Sequence, residues 1–135
     1  MRRLLLACTA VALLGCGGDS TGPAASAEGT WNLQTVSGSS LPFTFQTSPT
    51  KQEIISDQYV LNAGGTYSEF FTIRETDNGT VTTTDFTDDG TWSQSGNQVS
   101  LASSNDGTLV ATINGSGDIV TVNLGGGVIL VYARQ

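Results

Sequence analysis

The chain has 135 residues, five Lys and Arg against twelve Asp and Glu, and no His. That length allows one domain, and a net charge of −7 disfavours a phosphate-binding surface. The missing imidazoles remove the commonest general base and the commonest transition-metal ligand, while 17 Gly and abundant Thr point away from helix.

Arg2 and Arg3 precede an apolar run from Leu4 to Leu14, followed by Gly15-Cys16. The run is too short to span a bilayer as a helix. Charged start, short apolar stretch and small residue at the cut form a secretory signal, residues 1–15. Leu13-Leu14-Gly15-Cys16 resembles the lipobox of bacterial lipoproteins. The resemblance implies cleavage before Cys16, a diacylglyceryl group on its sulfur and a further acyl chain (palmitate or similar) on its amine. Two or more acyl chains anchor a protein stably, where one would not. Gly17 in place of Asp implies, by analogy with enterobacterial sorting, the outer membrane, facing the periplasm. The other cysteine, Cys8, falls in the removed segment, so the expected fold has no disulfide. Cleavage leaves Lys51, Arg74 and Arg134 against all twelve acids, a net −9. Such a surface is repelled by nucleic acid and anionic headgroups, so the membrane is met through the lipid alone.

Residues 17–28 contain no large apolar side chain and are expected to form, with Cys16, a flexible tether (16–28). From Gly29 onward the sequence shows short alternating segments separated by Gly, Asn and Asp. The predicted strands are Thr30–Ser37, Gln52–Asn62 (bent near Ser56-Asp57), Thr66–Thr76 and Thr80–Phe86. They continue with Thr91–Gln94, Gln98–Ala102, Thr108–Asn114, Ile119–Leu124 and Val128–Arg134. Asn78-Gly79 between the third and fourth is a type I′ hairpin signal, and Asp88-Asp89-Gly90 is expected to turn before Thr91. These links are too short for crossover helices, so consecutive strands should pair antiparallel. A long meander closes or stacks to lose its edges. The expected fold is all-β, an up-and-down barrel of about eight strands over residues 29–135, with a β-sandwich as the alternative.

Three segments carry a family resemblance: Gly29-Thr30-Trp31, Leu61-Asn62-Ala63-Gly64-Gly65-Thr66-Tyr67, and Gly90-Thr91-Trp92 followed by Gly96-Asn97. Their order and spacing across 29–135 resemble the small lipocalin-like domains of bacterial lipoproteins. The resemblance implies a barrel and an anchored context, and it names no ligand. It also implies a structural role for Trp31 at the closed barrel end, under Arg134 from the last strand.

The expected inward set includes Trp31, Leu33, Tyr59, Leu61, Tyr67, Phe71, Ile73, Trp92, Val99, Leu101, Leu109, Ala111, Ile113, Leu130 and Tyr132. Eight strands leave a lumen that is filled by side chains or holds one small ligand. The candidate ligand-binding residues are Tyr59, Tyr67, Glu69, Phe71, Trp92 and Tyr132. Strict alternation places Glu69 among them, where a buried carboxylate needs a partner or a raised pKa. A β-bulge at Phe70-Phe71, the arrangement we expect, would return it to solvent. Leu41, Phe43 and Phe45 in the long 37–50 connection form a lid, a docking patch or, the expectation favoured here, a plug in the barrel end. Asp85, Asp88 and Asp89 lack the spacing of a Ca²⁺ loop and are expected to form a solvated turn. Without His, and with Lys51 as the sole lysine, no group activates a nucleophile, so neither an enzyme nor a cofactor or metal is expected. The expected function is binding or carriage of a small apolar molecule. The alternative is a filled barrel acting as a structural or interaction module for an envelope protein.

Overall fold

Alternating side chains and glycine-containing turns build one antiparallel sheet that closes on itself. The computed structural model describes residues 24–135; the signal segment and the lipidation candidate Cys16 lie outside the described residues. Ten strands follow one another: β1 (Gly29–Val36), β2 (Ser39–Ser40), β3 (Phe43–Gln46), β4 (Lys51–Leu61), β5 (Thr66–Asp77), β6 (Thr80–Ser95), β7 (Gln98–Ser103), β8 (Thr108–Ile113), β9 (Ile119–Gly125) and β10 (Val128–Arg134). From β4 to β10 each strand pairs with the next, β10 returns to β1, and β1 meets β4 through Gly29↔Leu61 to Asn32↔Gln58. That last pairing closes an eight-stranded up-and-down barrel, of lipocalin-like shape, with β2 and β3 as additions at one end. Asn78 and Gly79 both take positive φ, 48° and 85°, as the type I′ turn between β5 and β6 requires.

The predicted break at Asp88-Asp89-Gly90 does not exist. β6 runs unbroken for 16 residues. It pairs with β5 along Thr80–Thr91 and with β7 along Gly90–Ser95. Local composition reads as a turn, but Asp88 finds its hydrogen bonds on other strands. Its carboxylate accepts from Tyr67 (2.7 Å), Ser103 (2.9 Å) and Asn105 (3.1 Å). The hairpin of β5 and β6 therefore projects past its neighbours, and Phe71 and Phe86 meet on it with ring centroids 6.3 Å apart.

The folded body also begins earlier than Gly29. Ala27 is fully buried and Ala25 packs on the core. Gln94 holds the segment, accepting from Ala27 N (2.8 Å) and donating to Ala25 O (2.7 Å). Trp31 Nε1 donates to Ala27 O at 2.8 Å. Arg134 lies over the Trp31 ring, 4.4 Å from its centroid, and donates to the carbonyls of Gly117, Ser26 and Glu28. One guanidinium thus ties the leading segment, the β8–β9 turn and the buried indole together at the closed end. Lysine has neither the fork nor the stacking plane. We expect Arg134→Lys to cost about 2 kcal/mol and to lower the melting temperature by roughly 8–10 °C, read by circular dichroism.

The core fills the half of the barrel nearest that end. Trp31, Val99, Ala111, Ile113, Val122 and Tyr132 are each almost fully buried. Between them remains a void of only about 20 Å³.

Candidate functional site

Above that packed half the lumen is open. A cavity of about 480 Å³ runs to the end where the β1–β2, β7–β8 and β9–β10 turns lie. Its walls are apolar: Leu33, Phe43, Ile54, Phe71, Leu101, Leu109 and Leu130. At the mouth stand Phe45, Leu124 and Val128, each more than a third exposed. The 37–50 connection does not plug this end. Leu41 and Phe43 pack against the core, whereas Phe45 lines the cavity with half its surface open. β3 is the reason, because its pairing with β4 (Phe43↔Ile54, Thr44↔Glu53) holds it along the wall.

The lumen floor is polar. Tyr59, Tyr67 and Tyr132 meet there, with Tyr59 centroids 5.8 Å and 5.6 Å from the other two. Between them sit Asp57 and Glu69. The register explains the placement: Tyr59 opposes Glu69 and Asp57 opposes Phe71, so the carboxyls are diagonal neighbours on one face. No bulge occurs at Phe70-Phe71. β5 keeps strict alternation, Phe70 points out with about half its surface exposed, and Glu69 lines the cavity. The irregularity lies instead in β4, between Ile54 and Ser56. It lets both Ile54 and Asp57 line the lumen, although simple alternation would separate them.

Asp57 is 6% exposed. Its Oδ2 accepts from the Tyr132 hydroxyl at 2.6 Å, whereas Oδ1 has no hydrogen-bond partner. Burial raises its pKa to about 7; the Tyr132 hydrogen bond opposes the rise and the neighbouring Glu69 charge adds to it. Glu69 also rises, first through burial and then through the charge of Asp88, against the hydrogen bond from Tyr59. The two carboxyls lie within hydrogen-bonding reach of each other. Asp88, on the next strand, behaves in the opposite way. Burial pushes it up, but hydrogen bonds from Tyr67, Ser103 and Asn105 outweigh this and hold it below the usual carboxylate range. Burial beside these acids drives all three tyrosine hydroxyls up, so they remain neutral donors.

The structure thus gathers Tyr59, Tyr67, Glu69, Phe71 and Tyr132 around one cavity. Trp92 is not on its wall: it packs at the core edge, with Nε1 donating to Asn62 O at 2.8 Å. Sequence reading missed Asp57 as a lining residue, and with it Ile54, Asp88 and Asp106. Counting back by twos from Tyr59 reaches Asp57, so that signal was present but fell at the predicted bend. Asp106 completes the acids on the cavity wall, and no Lys or Arg lines it. Lys51 and Arg74 are engaged by Glu53, at 2.7 and 2.9 Å. Among the described residues no cluster suited to a metal ion occurs.

These features define a class, a closed antiparallel barrel with a half-open apolar lumen and an acidic floor. No protein-family model matches the chain, and no curated protein does so either.

Proposed function

We propose that the protein is a lipid-anchored bacterial envelope protein, not an enzyme, whose barrel binds or carries a small apolar molecule. The observation that supports the carrier reading is the open lumen of about 480 Å³, walled by aliphatic and aromatic side chains. It falls within the size range of small-molecule sites, ~300–1,000 Å³. A filled interaction module would have no such space. The direction of the pattern agrees: most large apolar groups point inward, with Phe70, Val110 and Ile129 as outward exceptions, whereas Ser68, Thr72, Ser100, Thr112 and Thr121 point outward, unlike the apolar outer band of a barrel that faces lipid. Anchoring through Cys16 rests on the lipobox resemblance, and with it the outer-membrane location.

Native mass spectrometry of the protein purified from cells expressing the full chain tests both parts. The expected spectrum has a covalent mass of residues 16–135 plus acyl groups, lost in Cys16→Ser. It also has a non-covalent adduct that vanishes on denaturation. An unmodified N-terminus would end the anchor reading. An adduct-free spectrum that stays so after incubation with apolar metabolites would end the carrier reading.

A further inference from the structure

The carrier reading leaves the polar floor unexplained. A lumen built only for hydrocarbon gains nothing from two carboxyls at its base, and burying a charge without a partner is costly. Asp57 lines the cavity, and its Oδ1, buried just beneath the wall, has no donor. It is held in place because Tyr132 grips the other oxygen at 2.6 Å. Glu69 stands diagonally across from it, within reach of Tyr59. Around the pair, every facing ionisable group from the neighbouring strands and turns is an acid or a tyrosine: Tyr67, Asp88, Asp106, Tyr59 and Tyr132. In the free protein only a proton shared between the two carboxyls can satisfy Oδ1, and a cationic donor from outside would take that proton's place. We propose that the barrel takes an amphiphilic cation, an apolar chain or ring system bearing one protonated amine, with the ammonium seated between Asp57 and Glu69 and the apolar part filling the lumen toward Phe45 and Leu124.

This rests on the carrier reading and makes it chemically specific. An ammonium supplies three donors, enough for Glu69, one tyrosine oxygen and, after a small rotation of the Asp57 carboxyl that brings Oδ1 to the cavity surface, Asp57. Binding it in a low-dielectric site halves the net charge of two mutually repelling carboxyls, from −2 to −1, and places a cation between them. An anionic amphiphile such as a fatty acid would bring a third carboxylate to the same place, so the site selects against it. Acidification protonates Asp57 while the amine keeps its charge, so affinity should fall as pH drops from 8 to 5.

The test uses three probes of equal chain length, decylamine, 1-decanol and decanoate, titrated calorimetrically into the protein purified from cells expressing the full chain. At pH 7.5 decylamine, protonated like any primary alkylamine, should bind at least tenfold tighter than decanol, with decanoate weakest. At pH 5 the tenfold advantage should shrink below threefold. It should shrink likewise in the Asp57→Asn/Glu69→Gln variant, and in Asp57→Asn alone should the double variant fail to fold. Decanol or decanoate binding as tightly as decylamine would overturn the cationic assignment and leave the carrier reading standing. Absence of binding by all three would overturn both. A full amine preference retained without the two carboxyls would overturn their role as its seat.

Discussion

Asp57→Asn should make the protein more stable at alkaline pH. The wild-type carboxyl has a pKa of about 7 in the folded chain against 3.8 in its ordinary state. Between those values the folded state holds a proton that the unfolded chain has released. Stability therefore falls as pH rises from about 4 to about 7 and is level above that. The shift corresponds to roughly 4 kcal/mol across the window, from a side chain only 6% exposed. Asparagine keeps an oxygen for the Tyr132 hydroxyl and adds an N–H pair that can face Glu69, while removing the buried charge. The expected gain is on the order of 3 kcal/mol at pH 8, dwindling to near zero at pH 4. Urea denaturation of both proteins at pH 4, 6 and 8 reads this, because titrating groups remote from Asp57 cancel in the difference and only the coupled Glu69 adds to it. A variant less stable than wild type at all three values would mean that the ionised carboxyl stabilises the fold.

The same substitution separates stability from function. The cost of a buried acid is carried by the free protein, and a bound ammonium would relieve it. Strained or undercompensated groups concentrate where a ligand is read. Asp57 and Glu69 fit that pattern, whereas Glu53, which is as deeply buried, does not. Glu53 is saturated by Lys51, Arg74 and Thr44 and lies outside the lumen. The contrast between one satisfied and one unsatisfied buried carboxylate on the same strand locates the candidate site.

Much of the barrel was legible because the turns are chemically explicit. Asn78-Gly79, Gly96 and Gly125 to Gly127 adopt positive φ where hairpins need it. Inward aromatics recur at period two between these turns. What stayed hidden depends on partners distant in sequence. Asp88-Asp89-Gly90 has the composition of a turn, and it is strand through its pairing with β5 and β7 and the hydrogen bonds of Asp88 with Tyr67, Ser103 and Asn105. The bulge that keeps Ile54 on the lumen wall together with Asp57 lies in β4, whose Ile54-Ile55 gives no local sign of irregularity. The double phenylalanine at 70–71 looks like the better place for one. Yet an exposed Phe70 is tolerated in an ordinary alternating strand. The leading segment was read as tether for lack of large apolar groups, but Ala27 is a small residue that fits under Trp31 because it is small.

Gly90→Ala should be the most damaging single methyl in the barrel. Gly90 does not have the positive φ of the turn glycines, so its backbone suits any residue. The requirement is spatial. Gly90 sits where β6 is paired on both sides, against Tyr67 of β5 and Ser103 of β7. A Cβ there would collide with the main-chain carbonyl oxygen of Ala102 and lie 2.9 Å from Tyr67 Cε1. A flexible side chain could swing away, but a strand carbonyl moves only if β6 and β7 part, which breaks the ladder and disturbs the Tyr67–Asp88–Ser103 hydrogen bonds beside the lumen. The expected cost is about 3 kcal/mol or more, a loss of roughly 2 M in urea midpoint. Gly96→Ala is the control. Its φ of 58° is unfavourable for alanine, yet nothing stands within 4 Å of the added carbon, so only about 1 kcal/mol should be lost. Equal midpoints for the two variants would show that the β6–β7 ladder accommodates the added methyl and that strand spacing does not require glycine at position 90. A larger loss at 90, accompanied by weaker ligand binding, would tie the close β6–β7 approach to the shape of the lumen itself.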